Sequence, residues 1–286
     1  MKVSRIFVIA ALLTSQAFAG VPELDQARKL YNSTDFDRSL RLVQSIHDKD
    51  AAAYEMIGLD EFMLGQYKKA TDALEKAIAL DPKNSDYALW MGRAYGRRAE
   101  TSSFITASGY ASKARQYFEK AIALDPRNLD ALEDLFEYNL QAPGFLGGGL
   151  DRAEAVARRI EAVSPAEGQW AQARIAEQRK QFSGAEAYFR RAADMTPHQV
   201  GRRIDLARFL ARQGKFQESD QELDRAQQVA PDSARLMYAE ADIYIQHGRR
   251  LDEAKTLLRR YLSCALTPDD PPRAQAQRLL ARVAGA

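Results

Sequence analysis

Cysteine is almost absent from this chain of 286 residues, since Cys264 stands alone and no intrachain disulfide can form. A lone cysteine at an apolar helical position is expected to be a small buried hydrophobe, and the alternative is an exposed thiol that pairs between chains. Histidine is scarce as well. His47, His198 and His247 do not stand at zinc-binding spacings. We therefore expect no metal site and no cofactor.

The chain also lacks a long apolar run, since a helix that crosses a bilayer needs about 20 residues. The only substantial run, residues 6–13, follows a basic start and precedes the small residues Ala17 and Ala19, which is typical of a secretory signal peptide. We expect residues 1–19 to be removed before Gly20. The mature chain is then periplasmic or secreted and does not insert into the membrane.

The expected mature chain has no excess of positive or negative charge. The leader carries Lys2 and Arg5, and without them 39 basic and 39 acidic residues remain. A neutral chain has no overall attraction to the phosphates of nucleic acid, so we expect no nucleic-acid partner.

What the chain does contain is a repeat. Residues 75–82, Glu-Lys-Ala-Ile-Ala-Leu-Asp-Pro, recur unchanged at 119–126. Weaker copies end at Pro165, Pro197, Pro231 and Pro268. A helix end that returns six times predicts a stack of like units, each packed on its neighbours, rather than one globule.

The cleanest unit, residues 51–84, carries small residues where two helices must approach and a proline that stops the second helix. Its spacing is Ile57-Gly58, Tyr67, Ala70, Ala77 and Pro82. This pattern resembles the tetratricopeptide repeat family. The resemblance implies an all-α, right-handed superhelical solenoid of about seven helical hairpins, with a concave groove that usually binds a protein or peptide. We expect the solenoid over residues 20–268 and a capping helix over residues 269–286.

Two adjacent units are longer than the others, with extra residues at 99–110 and 142–149. We expect both to enlarge the turn between the two helices of their unit, so that they align along one edge of the stack. We call this predicted edge the inserted edge. Its apolar residues should pack on each other or on a partner. They are Phe104, Ile105, Tyr110, Phe145 and Leu146.

The family geometry also implies which residues line the groove, because one face of each first helix lies on the concave side. The groove candidates are Phe62, Arg93, Arg97, Glu133, Glu137, Trp170, Arg174, Arg208, Arg212 and Tyr238. The pairs Arg93/Arg97 and Arg208/Arg212 have the spacing to fork onto carboxylates. The alternative is a solvated helix face that carries ordinary charge.

The glycine-rich segment 144–149 resembles a phosphate-binding loop only superficially. Such a loop needs a Lys and a Ser or Thr directly after its glycines, and here Leu150 and Asp151 follow. The segment is then either a wide turn that tolerates positive φ or a loop that contacts a partner.

The sequence holds no catalytic constellation. Our leading hypothesis is a non-catalytic scaffold of the bacterial cell envelope that binds a protein or an extended peptide, by the groove or by the inserted edge. A second hypothesis is a homo-oligomeric assembly protein that associates through the inserted edge. A third is an enzyme that uses the glycine loop and Arg93/Arg97 to hold an anionic small molecule.

Overall fold

The computed structural model describes residues 22–284, apart from the side chains of Phe104 and Ala284. The signal peptide expected over residues 1–19 lies outside the described residues. Within them the chain forms a succession of helices joined by short connections. The α-helices are α1 (Pro22–Asn32), α2 (Phe36–Ser45), α3 (Ala51–Met63), α4 (Tyr67–Leu80), α5 (Ser85–Thr101), α6 (Phe104–Leu124), α7 (Leu129–Gln141), α8 (Leu150–Val163), α9 (Pro165–Gln178), α10 (Phe182–Met195), α11 (Val200–Arg212), α12 (Phe216–Val229), α13 (Ala234–Gln246), α14 (Leu251–Ser263) and α15 (Arg273–Ala284).

Successive helices form seven hairpins, from α1–α2 to α13–α14. Each even-numbered helix packs against its two neighbours in the chain, whereas odd-numbered helices in most of the stack also touch the next odd-numbered helix. The odd-numbered helices are thus the more closely spaced side, which makes that side concave. We call the surface that they present the inner face. The predicted all-α solenoid of helical hairpins is confirmed.

The last helix, α15, lies at the end of the stack and packs against α13 and α14. Ala276 and Val283 on this helix are buried, while Gln277 and Arg278 are exposed. Its buried side chains cover apolar surface that the final hairpin would otherwise expose to water.

One small residue in each even-numbered helix lets the two helices of its hairpin approach closely. Each has at most 1% of its surface exposed, and the seven are Ser39, Ala70, Ala114, Ala153, Ala185, Ser219 and Ala254. The two serines donate from their hydroxyls to backbone carbonyls of the partner helix, at 3.0 Å for Ala27 and 2.8 Å for Ala207. The contact therefore leaves these buried hydroxyls satisfied.

The turns of four regular hairpins share one conformation. A residue with positive φ stands two places before the aromatic residue that opens the second helix. Glycine takes this place at Gly65 and Gly214, both with φ of 75°. Thr34 and Lys180 adopt the same conformation at φ of 61° and 60°, which costs about 1 kcal/mol for a residue with a Cβ.

The expectation that residues 99–110 enlarge a turn was wrong. These residues lengthen the two helices instead, so that α5 has 17 residues and α6 has 21, against 13 and 14 in α3 and α4. The segment contains no proline and only one glycine, so little in it opposes helix formation. Residues 142–149 do form an enlarged turn, which contains a short 3₁₀ helix at Gly144–Leu146.

The two ends of the stack meet. A cavity of about 150 Å³ is lined by Thr34, Phe36 and Met63 from the first units and by residues 266–273 before and at the start of α15. Burial raises the pKa of Tyr31 on α1, and nearby carboxylates, including that of Asp269, add to the effect. The stack therefore curves until its first and last turns are neighbours.

Close approach inside a hairpin predicts opposite outcomes for two glycines of α5. A Cβ added at Gly92 would lie 2.6 Å from the buried Phe118 ring, whereas a Cβ at Gly96 meets nothing within 4 Å. Gly92→Ala should lower the free energy of unfolding by about 1–3 kcal/mol. Gly96→Ala should leave it unchanged or raise it by up to about 1 kcal/mol, since alanine is the better helix former. Urea unfolding followed by circular dichroism measures both. Equal effects of the two changes would contradict the close contact.

Candidate partner-binding face

A cavity of about 400 Å³ opens where α5, α6 and α7 meet the turn at 142–149. Its apolar lining comes from Phe62, Gly96, Ala99, Ala111, Ala114, Phe118, Ala142 and Leu146. Most of these side chains are small, so the helices leave space between them. We call this space the apolar cavity. It combines predicted groove residues with Leu146 of the inserted edge, so the two predicted surfaces adjoin.

Phe62 and Arg97 are held at the rim of the apolar cavity by aromatic contacts. The Phe62 ring stands edge-on to Tyr67 and Trp90, with ring centres 5.5 Å and 5.4 Å away. The Arg97 guanidinium lies over the Tyr67 ring and forms an ion pair with Glu100. Arg97 is exposed, so its charge remains in contact with water.

Arg93 joins α5 to α7. Its Nε lies 2.6 Å from Oδ2 of Asp134 and its Nη2 lies 3.1 Å from Oδ2 of Asp130. The guanidinium also covers Trp90, at 4.9 Å from the ring centre. Arg93 was a predicted groove residue, whereas Asp130 and Asp134 were not predicted. Their spacing of four residues on one helix face is the signal that was available.

Two further ion pairs join α7, α9 and α11. Glu137 receives a bidentate contact from Arg174, with N–O distances of 2.5 Å and 3.1 Å. Glu177 accepts two hydrogen bonds from Arg212 through one oxygen, Oε1, at 3.1 Å from Nε and 2.7 Å from Nη2. Paired charges fix the helices relative to one another, but a charge in a pair is less available to a ligand.

Arg202 is the main residue of the inner face that sequence reasoning missed. It pairs with Glu167 on α9, with Asp205 at 2.7 Å, and with Glu133 on α7 at 3.5 Å. The last contact joins α11 to α7, which are not neighbours on the inner face because α9 lies between them. The inner face is therefore narrow at this point. The Arg202 guanidinium also covers Trp170, at 4.5 Å from the ring centre. Trp170 is therefore buried beneath arginine and is not an open surface.

Burial raises the pKa of the Glu133 carboxyl from 4.5 to about 7. Arg202 lowers this pKa, but the neighbouring carboxylates of Glu167, Asp130 and Asp134 oppose the arginine. Near neutral pH, Glu133 is thus partly protonated at the narrowest part of the inner face.

A second cavity, also of about 400 Å³, lies between α9 and α11. The buried rings of Trp170 and Phe189 form one wall of it. Its charged lining consists of Arg174, Arg208, Arg212, Glu177 and Asp205. We call it the arginine cavity. It brings together three of the predicted groove arginines.

Among the described side chains of the inserted edge, two large apolar ones are exposed to water. Ile105 and Phe145 are 87% and 82% exposed. The Tyr110 ring instead stacks on Tyr95, and its hydroxyl accepts from Arg98 at 2.7 Å. Leu146 is half-buried. The side chain of Phe104 lies outside the described residues.

The expectation for Tyr238 was wrong. This residue is 5% exposed, and its ring packs against Tyr261 with the ring centres 5.4 Å apart. The side chain fills space between α13 and α14 and is not accessible on the inner face.

The glycine segment 144–149 behaves as a wide turn. Gly147 and Gly149 have φ of 86° and 135°. The amides of Gly147, Gly148 and Gly149 donate to carbonyls of the same turn or of α7. These donors are occupied, so they do not form a phosphate cradle of the kind considered above.

Among residues 22–284, no group of His, Cys, Asp and Glu is arranged to hold a metal ion. No described helix has the length and apolar character that a membrane span requires. Cys264 is half-buried, and its thiol donates to the carbonyl of Arg260 at 3.3 Å.

Comparison with known proteins agrees with this architecture. Models of the tetratricopeptide repeat match residues 51–84, 106–128, 147–200 and 176–239, which together cover just over half of the chain. The chain belongs to the tetratricopeptide repeat family. This fold supports a role as a protein-interaction scaffold. No curated protein matches the chain in sequence.

Two solved structures illustrate the likeness. A tetratricopeptide repeat protein from Parabacteroides merdae is 13% identical, with a TM-score of 0.58 over 92% of this chain and 97% of that chain. A thermophilic protein of the same family from Thermus thermophilus is 20% identical, with a TM-score of 0.54 over 66% of this chain and 97% of that chain. At these identities the likeness is one of fold.

The raised pKa of Glu133 predicts a pH-dependent effect of Glu133→Gln. Between pH 4.5 and 7 the folded chain holds a proton that the unfolded chain releases, so the free energy of unfolding falls as the pH rises. Glutamine removes this contribution. The free energy of unfolding of the variant, relative to that of the natural chain, should therefore rise by about 1–3 kcal/mol from pH 4.5 to pH 7. Urea titrations at several pH values measure the difference. Glu75→Gln, at an exposed position on α4, is the matched control for the loss of one carboxylate. A pH-independent difference for Glu133→Gln would contradict the raised pKa.

Proposed function

We propose that this chain is a non-catalytic scaffold of the cell envelope that binds a protein or an extended peptide on its inner face. The observation that carries the proposal is the apolar cavity, where the inner face and the inserted edge meet. Apolar surface of this kind is stabilised when an apolar side chain of a partner displaces water from it. The tetratricopeptide fold supports a protein as the partner.

Two further features support the proposal. Residues 1–19 have the pattern of a secretory signal, which favours an envelope location. The ionisable side chains of the inner face are largely held in ion pairs with one another, which favours a structural role for them over proton transfer. We therefore assign no reaction to the chain.

Export is tested by cell fractionation of the full chain against a chain that begins at Gly20. The full chain should appear in the periplasmic or secreted fraction, and the shortened chain should remain in the cytoplasm. The same distribution for both chains would contradict the envelope location.

Partner binding is tested by photo-crosslinking in the living cell. A photoreactive amino acid at Gln141, on the rim of the apolar cavity, should yield an adduct with a partner protein. The same amino acid at Gln228, exposed on α12, is the matched control and should yield none. Identical adducts at the two positions, or no adduct at Gln141, would refute binding at the inner face.

Self-association is the second candidate function, and the exposure of Ile105 and Phe145 favours it. A second copy would cover these side chains. Analytical ultracentrifugation of the natural chain should then show an association that the double variant Ile105→Ser, Phe145→Ser abolishes. Leu80→Ser, which replaces another exposed apolar residue, should leave the association intact. A strict monomer at high protein concentration would exclude this function.

A further inference from the structure

One position of the repeat carries a charge in five successive units. This position lies on the first helix of each hairpin. It comes directly after the residue that contacts the second helix, for example after Gly92 or Ala207. The residues at this position are Arg93, Glu137, Arg174, Arg208 and Asp242. The sign alternates along the stack except between Arg174 and Arg208, where two neighbouring units both carry an arginine.

The break in the alternation leaves one arginine without a partner. Arg174 is held by Glu137 in a bidentate contact. Arg208 forms no ion pair with any residue from 22 to 284. The two carboxylates that line the arginine cavity with it, Glu177 and Asp205, already form ion pairs with Arg212 and Arg202.

The arginine cavity therefore has a net positive charge. Three arginines and two carboxylates line it, and Trp170 and Phe189 replace water on one side. An arginine whose surroundings exclude part of the water binds a carboxylate more strongly than one in bulk solvent, since the effective dielectric constant is lower. A bound anion would neutralise the net positive charge of the arginine cavity.

The apolar cavity lies immediately beside it. Glu137 lines the apolar cavity and Arg174 lines the arginine cavity, so a single ion pair forms the wall between them. A peptide that crosses this wall places neighbouring side chains in the two cavities.

We infer that the inner face recognises an acidic segment of a partner protein in which a bulky apolar residue stands beside an Asp or Glu. The apolar side chain occupies the apolar cavity, and the carboxylate pairs with the guanidinium of Arg208. The inference rests on the proposed function and names the chemistry of the partner.

The test is selection of a random-peptide library on the immobilised mature protein. Enriched peptides should share an Asp or Glu beside Phe, Leu or Trp. One enriched peptide is then synthesised with a fluorescent label, and its affinity is measured by fluorescence anisotropy.

Two variants separate the two cavities. Arg208→Gln should weaken the binding of this peptide by about tenfold or more, because it removes the charge that meets the carboxylate. Gly96→Leu should weaken it by a similar factor, because the new side chain fills the apolar cavity, and the open space around Gly96 accommodates the change without a clash. Arg158→Gln, at an exposed position on α8, is the matched control and should leave the affinity unchanged.

The possible failures are distinguishable. Enriched peptides that lack an acidic residue, or that bind Arg208→Gln as well as the natural chain, would overturn this inference and leave inner-face binding intact. Displacement of the peptide by inorganic phosphate alone at constant ionic strength would identify a general anion site and would also overturn it. No enrichment of any peptide would overturn both this inference and the proposed function.

Discussion

The contact between the two helices of each hairpin, made over a residue no larger than serine, is the constraint on which the whole structure depends. Such a contact recurs at Ala70, Ala114 and Ala185 with almost no exposed surface. Because every hairpin nests in the same way, each unit adds a similar small rotation to the stack. The rotations accumulate until the turn at Thr34 meets the segment around Leu266. Short side chains at one repeated position thus produce a curved stack and an enclosed inner face.

Curvature brings charges from different units together on that face. Arg93 reaches α7 from α5, and Arg202 reaches α7 from α11. Most of these charges neutralise one another, so fewer of them are available to a ligand than in a row of solvated arginines. Two cavities open on this face, one largely apolar and one with an arginine that forms no ion pair with the described residues. The selectivity that we propose arises from these exceptions to the repeat.

Much of this organisation could be predicted from the sequence, because the repeat period, the small residues and the helix-ending prolines are local signals. The groove positions of Arg93, Arg174 and Arg208 also follow, since they occupy one register of the repeat. The lengthened helices α5 and α6 were missed because the proline spacing shows that residues are added but not what conformation they take. The partners Asp134 and Arg202 depend on the rotation between units, which no single repeat encodes. The burial of Tyr238 against Tyr261 depends on how the two helices of its own hairpin pack. Closure of the stack depends on the sum of those rotations and was likewise beyond sequence reasoning.

The most direct test of the account is a distance measurement between the two ends of the stack. Pulsed electron paramagnetic resonance applies, with nitroxide labels on cysteines that replace the exposed residues Asn32 and Ala265 in a chain whose Cys264 is serine. Uniform nesting of the hairpins predicts a single narrow distribution at a short distance, as expected for neighbouring turns. A long or broad distribution would contradict it, because it would show that the hairpins do not repeat one contact around a closed curve.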